Sequence, residues 1–313
     1  MALEVVRYLI EPRKWTELPG DWQAVFGRRA PLAVEIGFGN GEFLAEAAAQ
    51  HPDWDFVGFE VSLTCLEKTG RRLARRGLAN VRLARVDGRF ALRELFSDGS
   101  LARVYVHFPC PWPKARHAKR RLVNGDFVRT LAGVLEPGGV FELNTDVEWY
   151  AFEVTGRLQA GGWFAVHGPR VLSREGPGTR YERKWRKQGR RVIRVLAERR
   201  SPAEVNRIAE GKMPHARVNT EVKRDALYSL LNLKETWPKG AFAIKEIFFA
   251  PDGDSALLRA FSSDEGFQQH YFIVVAKGRR GWIVKLDGAT VPFRTPAVKR
   301  SVAAVAAALK ESS

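Results

Sequence analysis

The sequence predicts an α/β protein with a doubly wound, mostly parallel sheet, followed by a second, smaller α+β domain. Between residues 32 and 168, short apolar runs typical of buried strands alternate with helical segments. A glycine-rich turn follows the first apolar run, where doubly wound folds join their first strand to their first helix. Near residues 200–215 this alternation stops, and the later segments have the period of antiparallel strands. We therefore expect domains at 1–205 and 206–313.

Each element is predicted from its own pattern of apolar residues. In the first domain the expected strands are 32–37, 55–60, 81–87, 101–108, 138–146 and 163–168. The expected helices between them are 41–50, 62–77 and 127–137. In the second domain we expect a helix at 222–237, strands at 241–250, 256–261, 270–278 and 281–286, and a terminal helix at 302–310.

Composition and charge exclude several classes of protein. The 313 residues contain no apolar run of transmembrane length, and the N-terminal segment lacks the layout of a signal peptide, so we expect a cytoplasmic protein. The only cysteines are Cys65 and Cys110, and the six histidines are scattered, so we expect neither disulfides nor a metal site. The formal net charge is +16, of which +9 lies within residues 170–200. Charge concentrated in this way indicates a polyanion partner, whereas nothing in the sequence indicates an oligomeric state.

The segment 106–122, VHFPCPWPKARHAKRRL, is the most informative about that partner. Its three prolines favour a rigid, extended turn, and Trp112 offers a flat ring on which a nucleobase can stack. Six side chains that follow can meet phosphates: Lys114, Arg116, His117, Lys119, Arg120 and Arg121. A second segment, 180–194, interleaves Tyr181 and Trp185 with eight arginines and lysines. Together they predict RNA binding, against the alternative of basic faces that are merely solvated.

The first strand ends in a turn that predicts a cofactor site. The spacing is G-x-G-x-G, unlike the dinucleotide-binding G-x-G-x-x-G, with glycines at Gly37, Gly39 and Gly41. Acids accompany this turn: Glu35 within the first strand, Glu60 at the end of the second and Asp87 at the end of the third. A carboxylate in the place of Glu60 can accept both hydroxyls of a ribose. Three acids without a phosphate-binding lysine favour S-adenosylmethionine, which carries a cationic sulfonium and no phosphate, over a NAD-type dinucleotide.

The motifs VEIGFGNGEF, VGFE, FPCPWPKARHAKRRL, LNTDVEWYA and GTRYERKWRKQG occur in this order along the chain. Over roughly residues 30–195 the chain resembles the tRNA (guanine-N7)-methyltransferase family. The resemblance implies a Rossmann-like class I methyltransferase domain that transfers a methyl group from S-adenosylmethionine to N7 of a guanine in tRNA. In this family the guanine lies in the variable loop. The second domain lies outside the resemblance, and the net charge of +5 over residues 201–313 allows it to bind RNA.

The resemblance also implies roles for single residues. It places a first set around the cofactor: Glu35, Gly37, Gly39, Glu60 and Asp87. It places a second set around the substrate, to which we add Trp112 for stacking: Lys114, Arg116, His117, Asp146, Thr179 and Glu182. Tyr181 stands where the family motif has phenylalanine.

Cys110 departs from the family, which has an aspartate between the prolines, usually given a central role in catalysis. Guanine N7 has an unshared electron pair and needs no base, so the missing task is to stabilise developing positive charge, for which a thiol is poorly suited. We expect Asp146 and Glu182 to perform this task, and Cys110 to be buried and inert. Two alternatives stay open: a cytosine-C5 enzyme with Cys110 as nucleophile, and an RNA-binding homologue that has lost catalysis.

Overall fold

The structure, a computed structural model, describes residues 5–172 and 191–311 in two compact units, each with its own sheet. The first unit comprises Met1–Pro12 and Pro19–Asn206, and the second comprises Arg13–Leu18 and Arg207–Ser313. The short segment Arg13–Leu18 thus belongs to the second unit, although nothing in its sequence indicates this. Within the described ranges no helix combines the length and the apolar character needed to cross a lipid bilayer.

The first unit is built on a seven-stranded sheet with helices between its strands. The strands are β1 (Leu32–Ile36), β2 (Asp55–Phe59), β3 (Val81–Ala84), β4 (Leu101–His107), β5 (Leu135–Thr145), β6 (Phe164–Val171) and β7 (Ile193–Arg199). The α-helices of this unit include α1 (Trp22–Phe26), α2 (Glu42–Gln50), α3 (Leu63–Arg75), α4 (Gly88–Glu94), α5 (Gly125–Val134) and α6 (Glu148–Ala160). Every residue of β1 and β2 is buried, as expected for parallel strands that are covered on both faces.

The strand order β3-β2-β1-β4-β5-β7-β6 confirms the expected doubly wound topology. Strands β1 to β5 are parallel, whereas β7 runs antiparallel between β5 and β6. The order reverses between β1 and β4, and a crevice forms at the carboxyl ends of strands at such a reversal. Strand β7 was not predicted, because its apolar run is short, is flanked by charged residues and directly follows a strongly basic segment.

The second unit is a six-stranded antiparallel sheet in the order β8-β13-β12-β11-β10-β9. The strands are β8 (His215–Val218), β9 (Lys234–Trp237), β10 (Gly240–Phe249), β11 (Ser255–Asp264), β12 (Phe267–Gly278) and β13 (Gly281–Leu286), with helices α7 (Arg224–Tyr228) and α8 (Pro296–Glu311). One face of the sheet forms a core with α8, in which Leu258 and Ile273 share a cluster with Val302 and Val305. The α+β architecture expected for this part of the chain is confirmed.

Two predicted helices are longer than the observed ones. The helix expected at 222–237 is wrong beyond α7, since Asn232 has a left-handed φ of 68° and Lys234–Trp237 pairs with β10 as a strand. The helix expected at 127–137 ends at Val134, because β5 begins at the next residue. Strand β8 was missed because it has only four residues, two of which are polar.

Candidate active site

The predicted site residues that the structure describes follow the ends of neighbouring parallel strands. They are Gly37 after β1, Glu60 after β2, Asp87 beyond β3, Cys110 beyond β4 and Asp146 after β5. Because parallel strands point the same way, their carboxyl ends share one edge of the sheet. The fold therefore brings the expected cofactor residues and the proline-rich segment to the same edge.

The glycine turn that follows β1 leaves open space above its backbone. Gly37 and Gly39 have left-handed φ values of 74° and 55°, and a Cβ built on either would meet no atom within 4 Å. Non-glycine side chains rarely adopt this backbone conformation. The turn is attached to β2, since the Gly37 amide donates to the Phe59 carbonyl at 2.8 Å. The arrangement lets a ligand approach the backbone closely.

The carboxylate of Glu60 joins the glycine turn to the end of β2. Its Oε2 accepts from the Gly39 amide at 3.1 Å, and its Oε1 accepts from the amides of Val61 at 2.8 Å and Ser62 at 3.1 Å. A carboxylate has about four acceptor positions, so these three donors leave about one acceptor position for a ligand. Glu60 thus organises the turn as well as offering an acceptor.

Asp87 begins helix α4. Its Oδ1 accepts from the amides of Arg89 at 2.9 Å and Phe90 at 3.2 Å, which makes it the N-cap of the helix. The Arg89 guanidinium lies 3.8 Å from the same oxygen. One carboxylate oxygen is therefore occupied by the cap, and Oδ2 is the atom left for the cofactor contact that the resemblance implies.

A buried charged cluster lies directly beneath the turn, on strands β1, β4 and β5. His107 Nδ1 lies 3.6 Å from Glu35 Oε1, and His107 Nε2 lies 3.5 Å from Glu142 Oε1. These are ion-pair distances rather than direct hydrogen bonds. Asn144 donates to Glu142 Oε1 at 3.2 Å. The Glu35 side chain is 3% exposed, so this acid is a core residue and not a surface group.

The two carboxylates keep His107 charged. Burial by itself lowers the pKa of His107, but the interactions with Glu142 and Glu35 outweigh it and raise the pKa to about 9. Burial acts in the opposite sense on Glu142, yet His107, Arg194 and Arg103 hold the pKa of that carboxyl below its usual value. At neutral pH His107 is therefore an imidazolium, placed between Glu35 and Glu142. Sequence reasoning missed His107 and Glu142, and the available signal was polar residues inside apolar strands.

The proline-rich segment beyond β4 is held by Arg121. Phe108 and Trp112, on either side of Pro109-Cys110-Pro111, have left-handed φ values of 50° and 46°. Such residues persist only where the surroundings impose them. Arg121 supplies that constraint by donating to the carbonyls of Pro111 at 3.1 Å and Trp112 at 3.2 Å.

Arg121 is itself fixed from helix α6. Its Nη1 lies 2.5 Å from Glu153 Oε2, and its guanidinium carbon lies 4.8 Å from the centroid of the Trp149 ring. The expectation that Arg121 meets phosphate is therefore wrong, because the residue is buried and its donors are used within the protein. The expectation that Cys110 is buried is also wrong, since this cysteine is exposed on the loop that Arg121 holds.

The remaining basic residues lie on, or directly before, a short 3-10 helix, Ala115–Arg120, which has no buried residues. Lys114 and Arg116 are exposed, and His117 is half-buried. The Arg120 guanidinium lies over the Trp112 ring at 5.0 Å, and the His117 ring meets Trp112 edge-on at 5.7 Å. Trp112 thus already has two neighbours at its ring and stays partly accessible.

Asp146 follows β5, on the far side of the proline-rich segment from the glycine turn. The preceding Thr145 hydroxyl accepts from the Val147 amide at 3.1 Å, which shapes the turn into α6. Thr179, Tyr181, Glu182 and Trp185 lie outside the described residues. In the described part of the chain, no group of three or more histidine, cysteine, aspartate or glutamate side chains is arranged to hold a metal ion.

The site fits S-adenosylmethionine. Gly37 and Gly39 provide an open cradle, Glu60 keeps acceptor capacity for a ribose, and Glu35 Oε2 is a buried oxygen without a hydrogen-bond partner among the described residues. The sulfonium and amino groups of the cofactor are cationic and match the acids of the turn. The doubly wound sheet and this edge define a class I methyltransferase dependent on S-adenosylmethionine.

Comparison with known proteins identifies the family within this class. A family model described as a putative methyltransferase matches residues 29–195. A tRNA (guanine-N(7)-)-methyltransferase of Thermotoga maritima is 44% identical over 302 residues, covering 95% of each chain. One of Coprothermobacter proteolyticus is 34% identical, covering 93% of this chain and 90% of the relative. The chain therefore belongs to the tRNA (guanine-N7)-methyltransferase family.

A third relative matches a shorter length of this chain. The tRNA (guanine-N(7)-)-methyltransferase of Methylococcus capsulatus is 45% identical over 172 residues, which cover 55% of this chain and 74% of the relative. That length corresponds to little more than half of this chain, whereas the two longer matches include the second unit. All three names denote guanine-N7 enzymes, so the alternative of a cytosine-C5 enzyme is not favoured.

Proposed function

We propose that the protein transfers a methyl group from S-adenosylmethionine to N7 of a guanine in the variable loop of tRNA, in the cytoplasm. The observation that carries this proposal is the shared sheet edge. There the glycine turn and Glu60 lie beside the rigid proline-rich segment and its exposed cations. Relatives named for the same reaction support it over most of the chain.

Methyl transfer to guanine N7 requires few catalytic groups from the protein. Bound S-adenosylmethionine supplies a methyl group activated by the adjacent sulfonium. Guanine N7 needs no deprotonation, so the residues of the site have only to orient the base in line with the methyl group and to exclude water. Alignment of this kind can lower the activation barrier by up to about 7–11 kcal/mol. The rigidity imposed by Arg121 on the Pro109–Pro113 corner suits this positioning role.

Nucleoside analysis tests the reaction directly. The protein is incubated with methyl-labelled S-adenosylmethionine and bulk tRNA, and the digested nucleosides are separated. We expect the label in 7-methylguanosine. Label in 5-methylcytidine, together with a stable adduct between Cys110 and RNA containing 5-fluorocytidine, would instead support the cysteine-nucleophile alternative. Saturable binding of tRNA without any labelled nucleoside would indicate a non-catalytic RNA-binding homologue.

We propose that Asp146 and Glu182 provide the negative charge that the missing aspartate supplies in the family. Replacing Asp146 by alanine should lower turnover by about two to three orders of magnitude, equivalent to about 2–4 kcal/mol of transition-state stabilisation. Asp126→Ala is the matched control, because Asp126 is an exposed acid on α5. Near-normal single-turnover rates in both Asp146→Ala and Glu182→Ala would refute this assignment.

We further propose that the second unit contributes to RNA binding. The face of its sheet opposite α8 carries exposed cations on β8 and β13, including Arg217 and Lys285, next to aromatic residues such as Phe248 and Phe272. Cations interleaved with accessible aromatic rings favour single-stranded or looped RNA. A Lys285→Glu variant assayed by filter binding to tRNA tests this contribution.

A further inference from the structure

His107 and Glu142, which form a buried cluster with Glu35, have no role in the reaction proposed above. The three side chains come from strands β1, β4 and β5, which are neighbours in the sheet. Their side chains are 3%, 4% and 13% exposed. Charges buried to this degree are costly unless they are paired, so a cluster of three needs a physical reason.

His107 connects the cofactor side of the site to the substrate side. Glu35 lies two residues before Gly37, the first glycine of the turn. Glu142 lies on β5 four residues before Asp146. The single imidazole at 3.6 Å from the first acid and 3.5 Å from the second is the link between the two strands.

The two carboxylate oxygens of Glu35 have different surroundings. Its Oε1 faces His107, whereas its Oε2 is buried and has no hydrogen-bond partner among the described residues. A buried carboxylate oxygen without a donor is unfavourable, and a cationic ligand at the turn would supply the donor. The amino group of S-adenosylmethionine is the cationic donor at the amino-acid end of the cofactor.

The surroundings restrict how this cluster can titrate. Arg103 and Tyr105 face it from β4, and Arg194 faces it from β7. From α2 the neutral Phe43 ring contacts His107 edge-on, with centroids 4.2 Å apart. His107 is thus the group between the two acids that can lose its proton in the mildly alkaline range.

We propose that His107 is a positioning residue, which as an imidazolium between Glu35 and Glu142 fixes the Glu35 carboxylate to receive the amino group of S-adenosylmethionine. The inference rests on the proposed function only in its choice of cofactor. It assigns His107 no contact with the reacting atoms. Loss of its positive charge leaves two buried carboxylates without their common partner, and the Glu35 side chain is then no longer held in one orientation.

The first test compares two variants by calorimetric titration with S-adenosylmethionine and with 5′-methylthioadenosine, which lacks the amino acid. His107→Gln should weaken binding of S-adenosylmethionine about tenfold and leave binding of 5′-methylthioadenosine unchanged. Glu67→Gln, at an exposed acid of α3 outside this cluster, is the control and should change both dissociation constants less than twofold. Equal weakening of both ligands in His107→Gln would show a merely structural role and overturn the proposal.

The second test uses the wild-type protein and holds even if His107→Gln fails to fold. His107 has a pKa of about 9 in the folded protein, so it is an imidazolium at neutral pH and loses its charge as the pH rises through about 9. The amino group of S-adenosylmethionine loses its own proton at about pH 8, so the ratio of the two ligands' affinities should fall in two steps, the second in parallel with the imidazole NMR signal of His107. A ratio that shows no second step by about pH 10 would overturn the proposal.

These outcomes are distinct from failure of the proposed function. A protein that binds S-adenosylmethionine with the expected dependence on His107, but makes no 7-methylguanosine, would contradict the proposed reaction and leave the inference intact. A protein that makes 7-methylguanosine without any dependence of cofactor binding on His107 would contradict the inference alone.

Discussion

The two sheets of this protein present functional groups in opposite ways. In the first sheet, β1 and β2 are buried throughout, and most of the polar residues assigned to the site follow the ends of its strands. In the second sheet, buried and partly exposed residues alternate along β11 and β12, so one face packs on α8 and the other meets solvent. Groups at an edge depend on loop geometry, whereas groups on a face project directly from a regular strand.

This difference predicts how each region tolerates substitution. At the edge, single charged side chains hold whole segments, as Arg121 holds the proline-rich corner and Glu60 holds the glycine turn. On the open face, Lys285 and Arg217 project from separate strands whose pairing depends on the backbone and not on these side chains. Substitutions at the edge should therefore have large and cooperative effects, and substitutions on the face should have small, additive ones.

Arg121→Ala should have the largest effect. It removes the donors to the carbonyls of Pro111 and Trp112. It also removes the ion pair with Glu153, which then keeps only its ion pair with Arg157. Breaking one partner of a buried pair costs about 3–5 kcal/mol, which urea unfolding would measure. The misplaced corner should also lower turnover by about a hundredfold.

Arg120→Ala is the control for this change. Arg120 is the adjacent residue, exposed, with its guanidinium over the Trp112 ring. Its removal should alter the free energy of unfolding by no more than about 0.5 kcal/mol. If Arg121→Ala proves as stable as Arg120→Ala, the account of a buried arginine that fixes the corner is wrong.

Glu60→Gln should have an intermediate effect, confined to the cofactor. The amide retains one acceptor oxygen for three backbone donors and presents an NH₂ group in place of the other oxygen. A hydrogen bond to a charged group contributes about 1.5–3 kcal/mol, so S-adenosylmethionine should bind about ten- to a hundredfold more weakly. Glu67→Gln, at an exposed acid of α3, should leave the dissociation constant unchanged. Equal dissociation constants for S-adenosylmethionine in the two variants would show that Glu60 does not bind the cofactor.

The sequence predicted those parts of the site that depend on local pattern. The glycine turn, Glu60 and Asp87 were predicted because each follows a strand whose apolar run is visible in the sequence, and the structure places them beyond the carboxyl ends of those strands. Contacts between distant segments were not found. Five arginines and lysines follow the prolines, and only the position of Glu153, 32 residues further on, distinguishes the buried Arg121 from its exposed neighbours. His107 was missed for the same reason, since its two acids lie on other strands.

Lys285→Glu should have the smallest effect and tests the face directly. Lys285 is exposed on β13, opposite Val274 of β12, and its side chain lies on the face that α8 does not cover. Reversing one surface charge should weaken tRNA binding about two- to fivefold and reduce the slope of log affinity against log salt by about 0.7–0.9. Lys310→Glu, the same charge change on α8, should leave that slope unaltered. If the two variants lose equal affinity, the second unit acts only through its overall charge, and the open face has no specific part in recognition.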